Sequence, residues 1–415
     1  MQLSQFGEHY CGDSGILDLM EDLGSALREN PAMLMLGGGN PARIAEAERL
    51  FRSTLQEVLA DDARSHQLLG RYQGPKGDLA VREALAAELR LQYGWPVGAE
   101  HVAVSNGGQS AFGLLANLLA GESASGRRCL HLPLVPEYLG YADIGRSPGF
   151  FTAARPLIDL LPERQFKYRL DRSAPIPESA AALCLSRPTN PSGNVLELDD
   201  LQWLDTAARQ RGIPLVIDAA YGLPFPGLQY PEGSQPYWSD NVIMLLSLSK
   251  VGLPGARSGF VVAAPPVIEA FSRANSVLNL ASGNLGPALA LPLLDSGQLF
   301  RLSREVLQPW YRARRDHAVA ALRAALGDLP WLLHRPEGAF FLWLWFPQLP
   351  LHCEALYQRL RAAGLLVIPG ASSFMGLEGG WPHATQCIRL SCAVDDSTLE
   401  RAAAVLARVL RDLSR

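Results

Sequence analysis

From about residue 70 to residue 270 short apolar runs alternate with amphipathic stretches, and this alternation restricts the chain to a largely parallel sheet flanked by helices. Parallel neighbours need a long crossover, and helices supply it. The predicted strands are 101–104, 129–133, 182–186, 214–218, 242–246 and 259–263. Between them lie helical stretches such as 198–211, where Leu201, Leu204 and Ala208 share one face. Past residue 300 the pattern changes to a long helix, the apolar run AFFLWLWF at 339–346, a turn at Pro369 and Gly370, a strand at 387–390 and a last helix. That helix is predicted to open on Ser397-Thr-Leu-Glu400 as a capping box, with Leu399, Leu406, Val409 and Leu413 along one stripe. The expected architecture is α/β, with a mostly parallel central sheet in a large unit over 46–300. A smaller α+β unit joins 1–45 to 301–415.

Bulk composition excludes several classes. With 415 residues, 48% hydrophobic, 19% charged and a net charge of -4, the chain reads as soluble and globular, without a nucleic-acid or anionic-membrane partner. No apolar run approaches the roughly 20 residues of a membrane span. The start, MQLSQFGEHYCGDSG, lacks the basic and apolar regions of an export signal, so a cytoplasmic location is expected. Cys11, Cys129, Cys184, Cys353, Cys387 and Cys392 form no CxxC pair, and the histidines are scattered, so neither disulfides nor a metal site are expected.

Several predicted strands end in small or polar residues: Ser105-Asn-Gly-Gly-Gln-Ser110, Ser186-Arg-Pro-Thr-Asn-Pro-Ser-Gly193, Asp218-Ala-Ala-Tyr221 and Ser247-Leu-Ser-Lys250. Ligands of open parallel sheets bind outside the carboxyl ends of the strands, so these loops should converge. Lys250 stands out because the chain has 37 basic residues, of which Lys76, Lys167 and Lys250 alone are lysines. Arginine stays protonated near neutral pH, whereas a lysine amine can be tuned into a nucleophile. Taken singly, each residue has an ordinary reading. Lys250 and Arg389 fit surface cations, Asp218 a helix cap, Asn190 a turn, Ser105–Gln109 a helix entry, and Tyr138, Tyr221 and Tyr72 packing. Asn190, Asp218, Tyr221, Ser247, Ser249, Lys250 and Arg257 together fit pyridoxal 5′-phosphate. That molecule needs an amine for its aldehyde, an acid for its ring nitrogen, donors for its phenolic oxygen and a cationic, hydroxyl-rich phosphate cradle.

In this setting the chain resembles, end to end, the fold type I, class I aminotransferases. Tyr72-Gln-Gly74, Asn190-Pro-Ser-Gly193, Asp218-Ala-Ala-Tyr221, Ser247-Leu-Ser-Lys250 with Arg257, and Cys387-Ile-Arg-Leu390 carry the likeness. Within that family it looks most like the valine–pyruvate aminotransferases, through Ser14–Leu23, Leu36–Ala42, Pro136–Ala142, Tyr221–Gly227 and Gly338–Phe346. The resemblance implies that Lys250 forms the internal aldimine and moves the proton, that Asp218 pairs with the pyridine nitrogen, and that Tyr221 and Asn190 face the phenolic oxygen. Ser247, Ser249, Arg257, Gly108 and Gln109 would hold the phosphate, with glycine at 108 leaving its main chain as donor where relatives often carry a hydroxyl. Tyr138 would stack on the ring. Arg389, assisted by Asn190 and the backbone near Gly39, would grip the substrate carboxylate, and Gly15 and Ile16 would border its side chain. Tyr72 would reach the phosphate of a neighbouring subunit, which makes a homodimer part of the expectation. The implied reaction is transfer of the amine of L-valine to pyruvate in two half-reactions. Its rivals are another alanine, branched-chain or aromatic aminotransferase, a lyase on the same scaffold, and a non-catalytic binding protein. A Rossmann dehydrogenase fits poorly, because Leu36-Gly-Gly-Gly-Asn40 lacks the G-x-G-x-x-G fingerprint.

Overall fold

All six predicted strands of the first unit form, and each is buried along nearly its whole length except Gly126–Leu132, whose first residues are exposed, as expected for strands largely covered on both faces. The computed structural model describes residues 1–12, 14–124, 126–145 and 149–413, leaving the side chains of Gln5, Phe6, Ile16, Asp18, Leu19 and Leu23 outside that description. Across the main sheet the strands run Val102–Ser105, Gly259–Val262, Val242–Ser247, Leu215–Asp218, Ala180–Ser186 and Gly126–Leu132, with Gly121–Ser123 at the far edge. Phe151–Ala153 joins Gly126–Leu132 in parallel. Val242–Ser247, Leu215–Asp218, Ala180–Ser186 and Gly126–Leu132 are mutually parallel, while Gly259–Val262 is antiparallel to both neighbours. The Leu198–Gln210 helix packs on Ala180–Ser186 and Leu215–Asp218, and the Gly108–Leu119 helix packs on Val242–Ser247 and Gly259–Val262.

A second sheet has the order Ile368–Pro369, Cys387–Ser391, Phe341–Trp345, Leu332–His334, Gln165–Arg169, Leu157–Leu161. The helices Gln308–Leu326 and Asp396–Leu413 pack against one another. The hairpin 157–169, inside the span that sequence patterning gives to the large unit, is hydrogen-bonded into this second sheet through the parallel pairing of Gln165–Arg169 with Leu332–His334. Patterning finds strands from local period, but partners are set by non-local packing. At the other end, Leu34–Met35 pairs with Leu365–Leu366, so the N-terminal segment joins the C-terminal part.

One helix start differs from expectation. The last helix begins at Asp396, and Asp395 caps it: its carboxylate accepts the Thr398 N–H at 2.9 Å and the Ser397 and Thr398 hydroxyls at 2.7 Å each. Ser397 therefore serves Asp395 rather than opening a capping box with Glu400. A carboxylate just ahead of the helix accepts more strongly than a hydroxyl and complements the helix dipole.

Candidate active site

The carboxyl ends of Ala180–Ser186, Leu215–Asp218 and Val242–Ser247 lie side by side, and the loops that follow them enclose a cavity of about 690 Å³. Of the described residues singled out in the sequence for the site, all but Tyr72 and Gly15 line it.

Asp218, last residue of its strand, accepts the Tyr141 hydroxyl on one carboxylate oxygen and the Ala220 N–H on the other at 2.8 Å. Burial pushes its carboxyl up, against the lowering effect of these hydrogen bonds and of Lys250. A buried acid in this setting favours a cationic partner. Tyr141 is stacked on Phe112 at 3.9 Å and meets Tyr138 edge-on, so its hydroxyl is fixed in direction. Sequence reasoning did not single it out. Its signal was the second tyrosine of Pro136-Glu-Tyr-Leu-Gly-Tyr, brought back toward Tyr138 by the short 3-10 turn Leu139–Tyr141.

Lys250 sits in the turn after Val242–Ser247, and its Nζ donates to the Gly39 carbonyl at 2.6 Å, with the Tyr221 ring centroid 5.3 Å away. Burial, reinforced by Arg389 and Arg257, pushes the amine down to about 8. Near neutral pH such an amine has a substantial reactive fraction, which an exposed lysine lacks. Tyr221 is buried edge-on to Phe340 and Phe341, so it both packs and lines the cavity.

An anion cradle lies at one end. The Gly108–Leu119 helix starts after Gly107 without a side-chain cap, and Gly108 and Gln109 line the cavity together with Ser247, Ser249 and Arg257. Uncapped N–H groups and a guanidinium form an anion site in such an arrangement. Arg257 donates to the Ser249 hydroxyl at 3.3 Å and adopts left-handed backbone geometry, φ 45. Gly107 is needed there: its φ is +92, and a Cβ would come within 2.9 Å of the guanidinium. The Gln109 amide is engaged by the Gly140 carbonyl at 2.9 Å, so its main chain is what it can offer.

At the other end Arg389 is 2% exposed. Its guanidinium donates to Asn190 Oδ1 at 2.7 Å and to the Gly37 carbonyl at 2.8 Å, and lies 4.1 Å over the Phe341 ring. Nε finds no partner among the described residues, and burial pushes the group down to about 10. A buried cation with no acid beside it among the described residues is suited to receiving a small carboxylate. The backbone partner of Arg389 is Gly37, whereas Gly39 serves Lys250.

Tyr72, expected to act at a neighbouring subunit, and Gly15 lie away from this cavity. Tyr72 is 83% exposed and outside the cavity of its own chain. Gly15 opens the Gly15–Glu29 helix, is exposed, and would direct a Cβ to Ser372 Oγ at 3.3 Å rather than into the cavity. The Ile16 side chain lies outside the described residues. Met20, Gly24 and Leu27 of that helix line the cavity instead, because spacing of four and three residues keeps them on one helical face.

Residues 162–406 match the family described as aminotransferase class I and II. The chain belongs to this family. Its chemistry is transamination. The valine–pyruvate aminotransferase of Escherichia coli (strain K12) is 44% identical over 98% of this chain and 97% of its own length. A protein of Psychrobacter arcticum 273-4 superposes with a TM-score of 0.97 at 40% identity, over 100% of this chain and 99% of that one. The valine–pyruvate aminotransferase of Salmonella typhimurium LT2 superposes with a TM-score of 0.88 at 42% identity, over 96% of this chain and 99% of that one. In this transaminase Lys250, Asp218, Arg257 and Arg389 line one cavity, and the helix Gly15–Glu29 covers part of it.

Proposed function

We propose that this aminotransferase binds pyridoxal 5′-phosphate and transfers the amine of L-valine to pyruvate, giving 3-methyl-2-oxobutanoate and L-alanine. One observation carries the proposal: a single cavity holds the Lys250 amine, the buried Asp218 carboxyl, an anion cradle at Arg257 and an Arg389 guanidinium with no acidic partner among the described residues. The residues fit the cofactor. Asp218 suits its ring nitrogen, Ser247, Ser249, Arg257 and the N–H groups of Gly108 and Gln109 suit its phosphate, and Tyr138 and Tyr221 suit its ring and phenolic oxygen.

When bound, the cofactor supplies a sink for the electrons of the broken Cα–H bond. The protein supplies the rest. Arg389 and Asn190 orient the substrate carboxylate, which aims the Cα–H bond toward Lys250. Lys250 Nζ takes the proton from that carbon and later returns one, as a base and then an acid. Asp218, fixed in direction by its bonds from Tyr141 and Ala220, would face the ring nitrogen of the bound cofactor as its acidic partner.

Met20, Leu27, Met35 and Val394 give the cavity an apolar wall, and Lys250, Arg257 and Arg389 are its cations among the described lining residues. That inventory supports a monocarboxylic, small apolar substrate, as in the names of the E. coli and S. typhimurium relatives. A pocket of this type separates neighbours differing by one methylene by about 1–3 kcal/mol, so L-alanine and L-2-aminobutyrate should compete. We take the working form to be a cytoplasmic homodimer. All six cysteines are unpaired, and among the described residues no helix is long and apolar enough to cross a membrane. Asn284 bonds to the carbonyls of Gln67, Leu68 and Arg71, which gathers exposed Leu69, Tyr72 and Leu285 into one region, a surface suited to a second subunit.

The test is a single turnover with L-valine in the absence of oxo acid, after borohydride mapping of the cofactor to Lys250. Stoichiometric 3-methyl-2-oxobutanoate with the amine retained on the protein is expected. Release of free ammonia, or cofactor on another residue, overturns the proposal.

A further inference from the structure

Of the three lysines, Lys250 lines the cavity and Lys76 pairs with Glu269 at 3.0 Å at the surface. Lys167 is different. It is 4% exposed, lies on the Gln165–Arg169 strand of the second sheet, and donates to the buried Glu337 carboxylate, to Asn194 Oδ1 at 3.2 Å and to the Val195 carbonyl at 3.2 Å. Glu337 in turn accepts the Val195 N–H at 3.3 Å. Replacing a buried ion pair by apolar residues often leaves stability unchanged or higher, so its presence points to geometry rather than to strength.

The geometry in question surrounds Arg389. On one side is the 189–194 turn, closed by Thr189 N–H to the Asn194 carbonyl at 2.8 Å and Gly193 N–H to the Thr189 carbonyl at 2.7 Å, which carries Asn190. On the other is the Phe341–Trp345 strand, which carries the ring under the guanidinium and begins just past Glu337, after Gly338, Ala339 and Phe340. The two approach so closely that a Cβ on Gly193 would come within 2.7 Å of the Gly338 carbonyl. We propose that Lys167 and Glu337 are positioning residues for the carboxylate receptor: their buried pair locks the Asn190 turn to the Phe341 strand, so that the Arg389 guanidinium is held from both sides. They touch neither substrate nor cofactor and act through Asn190 and Phe341. The inference rests on Arg389 being the carboxylate receptor.

The experiment uses holoenzyme and 3-methylbutanoate, a carboxylate with the valine skeleton but no amine, whose Kd is read from the cofactor absorption band. Lys167→Met, Glu337→Gln, the double variant and Arg389→Gln are compared, with Tm recorded for each. A receptor loosened by a fraction of an ångström should bind the probe about tenfold more weakly in both single variants, with KM for L-valine raised more than kcat is lowered. The double variant removes both charges of the pair, leaves Arg335, which also faces Glu337 at 3.6 Å, in solvent, and should regain Tm over Lys167→Met while keeping the weakened Kd. Wild-type Kd in the double variant overturns the proposal and leaves the pair a matter of stability. Unchanged Kd in Arg389→Gln overturns instead the assignment of Arg389. Should Lys167→Met not fold, the isosteric Glu337→Gln carries the same test.

Discussion

A lysine kept in a water-poor cavity responds to pH in the opposite sense to one that gains an acidic partner. In the cofactor-free protein Lys250 titrates at about 8, below its ordinary 10.5. The folded state therefore binds fewer protons than the unfolded state between these values, and stability rises with pH across that window. Below about 8 the buried ammonium carries the full cost. Lys250→Met should stabilise the cofactor-free protein at pH 7 by about 1–3 kcal/mol, less the loss of the Gly39 contact, with the gain fading toward pH 10.5. Urea unfolding at pH 7 and pH 10 checks the sign, and a constant difference would count against it. A second prediction concerns Tyr141→Phe. It deletes a hydrogen bond to a charged acceptor worth about 1.5–3 kcal/mol, and kcat/KM for L-valine should fall about ten- to a hundredfold in steady-state assays. Lys250, Asp218 and Arg389 were legible in the sequence because each sits in a short run of fixed spacing. Tyr141 was not, because its partner lies 77 residues away and only the folded turn brings them together.

Helix ends and faces carry the next set of consequences. In Val394-Asp-Asp-Ser-Thr398 four residues in a row can cap, and the sequence does not rank them. The structure selects Asp395, whose hydrogen bonds from Ser397 and Thr398 hold its carboxyl down at about 2. Its lowered value means the capping contribution is complete above the ordinary carboxylate range and is lost as pH falls through about 2. Asp395→Ala should cost about 0.5–2 kcal/mol near neutral pH, read as a lowered denaturant midpoint, with no effect on the Kd of 3-methylbutanoate. The Gly15–Glu29 helix offers a test of substrate choice. Gly24 lines the cavity, and no atom of the described residues stands within 4 Å of where a Cβ would be. Gly24→Val should therefore fold, narrow the apolar wall, and raise KM for L-valine more than for L-alanine. Equal effects on both would remove this helix from substrate discrimination.

At the scale of the whole molecule the six strands predicted from the alternation all enter the main sheet, since each announces itself locally, while the short strands Gly121–Ser123 and Phe151–Ala153 of the same sheet were not predicted. Less legible was the second sheet, built from strands at 157–169 and after residue 330, because pairing across so long a separation leaves no periodic trace. Tyr72 belongs to this scale too. If its hydroxyl completes the anion cradle of a second copy, Tyr72→Phe should weaken cofactor binding without changing the mass seen by sedimentation, and mixing it with inactive Lys250→Ala should yield hybrid dimers of predictable activity. A monomer in the wild-type sedimentation run would contradict this. The hairpin has a practical consequence for anyone dividing the gene. A fragment cut at residue 300 keeps two strands with no sheet to join, and the remaining piece exposes the naked flank of Leu332–His334, an invitation to clumping. Neither half should refold when expressed alone, and co-expression should rescue both.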